Sequence, residues 1–355
     1  MKKSYNIPVT HVVSMTTIRR ERLMPVPGTV LVGVNESVKG DQVLAESAPT
    51  PHHYFLNVAR GLGVPVRRVG QYLVRKAGER VEKGEIIAGP VGFARRSVRA
   101  PHDGRIVAIT RGRVLFEVRA EPMELQAGFP GRVIATDGVQ TITLETSGAL
   151  VQGIWGNGLQ DAGIMRLAGD DPSSRLRAGQ LDIKLRGAIV VAGICDHPAP
   201  LKQATDISVR GVILGSILSD IIPVAKELPY PLIITEGFGE LPMNSAAFQI
   251  LGSNVGREVS IDATPMEPYK INRPEVIIPL PSNVPIELPN EVIPIKRGIR
   301  VRILRAPHRG KVGKVREMLP RASIYPSGVH AVSAKIELEQ GGVISVPVDN
   351  LDVIQ

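Results

Sequence analysis

Two stretches of this chain repeat one another. Val38-Lys39-Gly40-Asp41-Gln42-Val43-Leu44-Ala45 and Val81-Glu82-Lys83-Gly84-Glu85-Ile86-Ile87-Ala88 each set a valine before a Lys-Gly turn, with an acidic residue after it and an apolar pair running into alanine. Apolar runs on either side of a glycine turn read as a β-turn-β unit, and a recurring unit buries its apolar face against a neighbour. Glycine following proline opens further strands at Pro27-Gly28-Thr29-Val30, Pro101-His102-Asp103-Gly104 and Pro130-Gly131-Arg132-Val133, and less clearly over Val66 to Val74. Between the two copies, Tyr54, Phe55, Val58, Ala59 and Leu62 stand at helical spacing. A short helix from His52, closed by Gly61 or Gly63, is expected there.

The rest of the chain supports a multidomain, β-rich α+β fold. At 355 residues it exceeds one ordinary domain, and its 36 Gly and 29 Pro punctuate many short strands. With aromatics at 4%, the cores must be built from Val, Ile, Leu and Ala. The expected division is an N-terminal arm (1–22), a β domain (23–120), a central domain with a small α/β layer (121–264), a proline-rich connector (265–294) and a C-terminal barrel (295–355). Cys195 is the only cysteine, so no intramolecular disulfide can form and a reducing compartment is expected. Neither a signal peptide nor a run of roughly 18 apolar residues is found. A cytoplasmic location without membrane insertion is the expectation, with the oligomeric state left open.

Residues 23–120 resemble the barrel-sandwich hybrid of lipoyl and biotinyl carrier domains and of the RnfC-type domains related to them. The matching phrase is Gly78 to Ala88 followed by Ala100-Pro101-His102-Asp103-Gly104. In the carriers the modified lysine sits at a hairpin tip before that proline; here the place belongs to Phe93, and no lysine lies between Lys83 and Pro101. The resemblance therefore implies the fold without a swinging arm, and no prosthetic group or other cofactor is expected.

The middle third changes character. Gly187 to Ala192, Val209 to Leu214 and Pro231 to Thr235 are continuous apolar runs, as in buried parallel strands. Helical stretches over Ile217 to Leu228 and Asn244 to Leu251 separate or follow them. Ligands of such layers sit beyond the carboxyl ends of the strands. That rule collects Cys195-Asp196-His197, then Ser216, then Thr235, Glu236, Gly237 and Gly239 as a candidate site for a small anion. Adjacent Cys, Asp and His rarely face one another as a triad does, so Cys195 is not expected to be a nucleophile. Thr235 to Ile250 resembles the phosphohistidine loop of swivelling phosphotransfer domains, but Asn244-Ser245-Ala246-Ala247 lacks the histidine. Gly153, Gly156, Gly158 and Gly163 read as a loop around a buried Trp155. Within the connector, Glu275 to Leu280 reads as an edge strand. No P-loop and no zinc-ligand spacing is present, and nothing compels an enzyme.

Residues 296–316 hold nine Lys/Arg and no Asp/Glu. Strand alternation through Ile299, Val301 and Ile303 puts Arg300 and Arg302 on the opposite face, and Gly310 and Gly313 mark a tight turn. The stretch resembles a KOW motif, the β-hairpin element of NusG-type transcription factors and several ribosomal proteins. The closing Val346-Pro347-Val348-Asp349-Asn350-Leu351 is similar to the last strand of such SH3-like barrels. The resemblance implies an adaptor that engages RNA, or a ribonucleoprotein or transcription machine, with Arg305, Arg309, Lys311 and Lys314 on phosphates. The alternatives are an enzyme or sensor using the central anion site, and a protein-binding scaffold. Residues 291–355 are expected to fold alone.

Overall fold

The computed structural model describes residues 5–47, 52–119, 123–265, 273–282, 286–290, 292–305 and 307–354. Strand takes 47% and helix 14%, so the chain is β-rich, and its strands fall into several sheets. Three architectural facts position everything functional: a nested repeat, a two-faced central layer, and a C-terminal sheet closed by the N-terminus.

The two repeat copies share hydrogen bonds as well as sequence. In the outer copy Val38 pairs with Gly131 and Ser37 with Arg132; in the inner copy Val81 pairs with Gly104 and Arg80 with Arg105. Val133 N donates to Glu36 O and Ile106 N to Glu79 O, each at 2.9 Å. Both following hairpins shift register one residue later, at Val133/Ala135 and Ile106/Ala108. The second hairpin also corresponds: Ala45 faces Leu125 outside, and Ala88 faces Val98 inside. The outer hairpin, however, never closes. Among the described residues its outermost pair is Ser47 with Met123, and the whole inner copy is inserted between them. Each copy has its own core, around Leu44, Phe129 and Leu144 outside, and around Ile87, Ile106 and Phe116 inside.

Residues 23–120 are therefore not one unit. The outer copy is completed by Met123 to Gln152, residues expected in the central domain. The predicted helix from His52 is also half wrong. His53–Asn57 is a strand paired with Arg113–Val118, and only Val58–Leu62 is helical, with Asn57 as its N-cap and Gly63 closing it at φ +69. Cross-strand pairing outcompetes a helix too short to hold itself together.

The central layer aligns Gln160–Leu167, Ala188–Cys195, Gly211–Ile217 and Leu232–Phe238 as parallel neighbours. The apolar runs of the last three are buried on both faces, whereas Gln160–Leu167 has Ile164 and Arg166 exposed. Val190, Val212 and Ile234 pack beneath the helices Ala199–Asp206 and Ile222–Lys226, and Ile189, Ile213 and Ile233 pack against Ser245–Ser253. The sheet continues through Glu258–Asp262 and Glu275–Pro279 to Thr141–Gln152. Glu275–Pro279 thus lies between two partners and is no edge strand. Trp155 sits half-buried on a two-residue strand beside Leu232–Phe238, its ring edge-on to Phe238 at 5.9 Å.

The C-terminal sheet runs Val292–Pro294, Asn6–Thr10, Leu351–Ile354, Arg300–Ile303, Val312–Met318, Ser333–Leu338, Val343–Pro347. The expected arm is strand from Asn6 to Thr10 and again from Val12 to Leu23, the latter paired along Thr141–Gln152. Asn6–Thr10 pairs in parallel with Leu351–Ile354 and puts Ile7 and Val9 in the core of the last unit. A fragment of residues 291–355 lacks that strand, so its independent folding is not supported. Gly313 lies inside a strand, opposite Val301 and Leu338, and takes no part in the turn.

Candidate nucleic-acid interface

The two sites expected from sequence meet face to face. Gly310, at φ +79, forms the tight turn after Arg300–Ile303, and a Cβ there would come within 3.1 Å of Leu241 in the central layer. Arg309 lies over the ring of Phe238 at 5.7 Å, and its guanidinium crowds the space a side chain at Gly237 would fill. The turn read as a polyanion contact is thus in part the seam between the last unit and the central layer.

Arg302 fastens that seam. It was expected on an exposed face and is instead 3% exposed. One guanidinium nitrogen donates to Thr235 O at 2.8 Å and Glu236 Oε2 at 2.9 Å, and the other to Asp352 Oδ2 at 2.9 Å. Burial alone would lower the Arg302 pKa, but the two carboxylates outweigh it and raise it. Asp352 also accepts from the Thr10 hydroxyl and from Arg273 at 3.2 Å, tying the first strand and the connector to the last strand. Charges this deeply buried persist only when paired.

The residues assigned to a small anion are therefore engaged by the chain itself. Ser216 Oγ donates to Leu241 O at 2.7 Å and accepts from Leu241 N. Thr235 Oγ1 donates to Leu214 O. Glu236 accepts from Asn244 N at 3.1 Å as well as from Arg302. Gly237 and Gly239 hold φ +132 and +120 for the bend that reaches the C-terminal turn. Cys195, Asp196 and His197 diverge. The thiol is buried, pushed up to about 11 by that burial, and faces His197 O; Asp196 holds Arg175 and Arg177; His197 Nδ1 accepts from Ala199 N.

A cleft of about 330 Å³ lies where sequence reasoning had marked nothing. His11, Arg20, Arg22, Gln152, Arg273 and Glu275 line it. Its arginines are paired: Arg20 with Glu275 at 2.5 Å, Arg22 with Asp262 at 3.8 Å, Arg273 with Asp352. His11 is 3% exposed, neither ring nitrogen has a hydrogen-bond partner among the described residues, and burial, followed by Arg20 and Arg273, lowers its pKa to about 4. Alternating charge over two sheets gives no motif by which to find such a cleft.

Once Arg302 and Arg309 are taken by the seam and Arg300 by Glu339 at 2.8 Å, the remaining predicted cations stand apart. Arg305 and Lys314 are exposed, Lys311 is half-buried, and none forms an ion pair among the described residues. No helix of the described residues is long and apolar enough to cross a membrane, and they hold no cluster of three metal-ligating side chains. No protein-family model and no curated protein matches this chain.

Proposed function

We propose that this chain is a non-catalytic adaptor that binds RNA or a ribonucleoprotein through its basic C-terminal unit. In this reading that unit is a KOW-type, SH3-like barrel, and the inner repeat is a barrel-sandwich hybrid whose hairpin tip carries Phe93 in place of an acceptor lysine. One observation carries the proposal: among the described residues Arg305, Lys311 and Lys314 have no ion pair, beside a turn where Arg302 is buried between two carboxylates and Arg309 lies over the Phe238 ring. Cations clustered without ion-pair partners are the electrostatic footprint of polyanion binding. The internal use of Ser216, Thr235 and Glu236 removes support from the small-anion reading.

Filter binding to single-stranded RNA at two salt concentrations tests it. Lys311→Glu with Lys314→Glu should weaken binding and flatten the salt slope by about 1.4, roughly 0.7 per lost phosphate contact. Unchanged affinity in the double variant would reject the C-terminal surface.

A further inference from the structure

The inner repeat, residues 52–119, holds 14 of the chain's 43 Lys/Arg and 5 of its 34 Asp/Glu. Its net charge of +9 is the whole of the chain's net charge. The exposed aromatics of the described residues also lie there and nowhere else: Tyr54, Phe55 and Phe93, at 47%, 67% and 108% relative exposure. Exposed aromatic rings are costly in water, and concentrating them with the positive charge on one inserted module calls for a ligand that takes both.

Register shows how they are displayed. The sheet of the inner repeat runs His53–Asn57, Arg113–Val118, Gly104–Thr110, Arg80–Val81. Residues opposite one another in an antiparallel pair share a face. Val81, Ile106, Val114 and Phe116 point into the core. The other face has Arg80, Arg105, Glu117 and His53 in one row, then Leu115 with Phe55, then Arg113 with Asn57. Arg80, Arg105, Arg113, His53 and Phe55 on it are all exposed. Glu117 receives Arg105 at 3.2 Å and His53 at 3.3 Å, which fixes both side chains across the sheet. Arg80 and Arg113 have no ion pair among the described residues. At the rim, Tyr54 stacks on His102, centroids 6.2 Å apart.

We propose that this open face is a platform for single-stranded nucleic acid, with a base stacked on Phe55 and phosphates held by Arg80, Arg105 and Arg113. An aromatic ring on a cationic sheet is the arrangement that unpaired bases use, since a base inside a duplex has no free π-face. The platform goes beyond the C-terminal contact and stands on a different surface.

Fluorescence anisotropy on the full chain tests it, with a single-stranded 12-mer of uridine or of thymidine and a 12-base-pair RNA duplex as probes. Phe55→Ala should weaken single-strand binding about 5- to 100-fold without changing its salt slope, leave duplex binding intact, and be rescued by Phe55→Trp. Arg80→Glu with Arg113→Glu should weaken binding to both probes and flatten the single-strand slope by about 1.4. Single-strand affinity unmoved by either variant overturns the platform; if Lys311→Glu with Lys314→Glu then abolishes binding, the C-terminal reading stands alone. A loss with the arginine pair but none with Phe55→Ala overturns it in favour of a featureless polyanion contact. Binding to anionic lipid vesicles, with none to either single strand, overturns it as well.

Discussion

His11 shows how much of this molecule is decided by where a side chain is buried. Its backbone is bound on both sides, N–H to Gln152 Oε1 at 3.1 Å and C=O to Gln152 N at 2.8 Å, which holds the residue beside the cleft. The cations of Arg20 and Arg273 add to burial in keeping it neutral, with its pKa near 4 against an ordinary 6.5. Above pH 6.5 the folded and unfolded chains are both neutral here, and the full stability is present. As pH falls, the unfolded chain takes up a proton the folded one refuses, and stability drops by about 1.4 kcal/mol per unit until about pH 4. The loss attributable to His11 is on the order of 3 kcal/mol. Urea denaturation between pH 7 and 5 should therefore be less steep with pH in His11→Gln than in the parent. Equal slopes in the two proteins would show that His11 does not titrate as its surroundings require.

At the scale of elements, the paired hairpins explain two glycines that read from sequence as the openings of strands. A Cβ on Gly104 would come within 2.1 Å of Glu117 O, and one on Gly131 within 2.6 Å of Glu145 O. Neither has a positive φ; both are needed because the partner strand's carbonyl comes so close. Alanine at either should cost about 1–3 kcal/mol by overpacking, more at Gly104, where the Phe116 ring is also within 2.7 Å. Chemical denaturation of the two single variants checks this, and a neutral Gly104→Ala would mean that the hairpin pairing is looser than described. The β-turn-β repeat was legible because its signals are local: Lys-Gly turns and alternating apolar pairs. Gly310 was legible as a turn for the same reason, whereas Gly313 was misread because only its two strand partners reveal its role. Tyr54 and Phe55 were misplaced on a helix because their spacing fits one, and only the strand Arg113–Val118 decides otherwise.

Over the whole molecule, contacts between distant parts of the chain define the architecture. Asn6–Thr10 closes the C-terminal sheet against Leu351–Ile354, and Arg302 joins that sheet to Glu236. Such pairings leave no local mark in sequence, so Arg302 was read as a surface charge and the N-terminus as an arm. The nested insertion was hidden in the same way: the repeat could be seen, but not that one copy interrupts the other. Its geometry has a direct consequence. Ser47 and Met123 are paired across the two strands that lead into and out of the inner copy, and the two copies have separate cores. No strand or helix of residues 52–119 makes an extended contact with an element outside that span among the described residues. Replacing residues 48–122 by Asn-Gly would close the outer hairpin with a two-residue turn suited to antiparallel strands. The shortened chain should fold cooperatively and melt within about 4 °C of the parent, equivalent to roughly 1 kcal/mol. Its single-strand nucleic-acid affinity should fall by at least the loss seen for Phe55→Ala, since the aromatic face and the charge leave together. A calorimetric transition that broadens or vanishes would show the inner repeat to be structural support for the outer one, and undiminished binding would place the nucleic-acid surface outside the insertion.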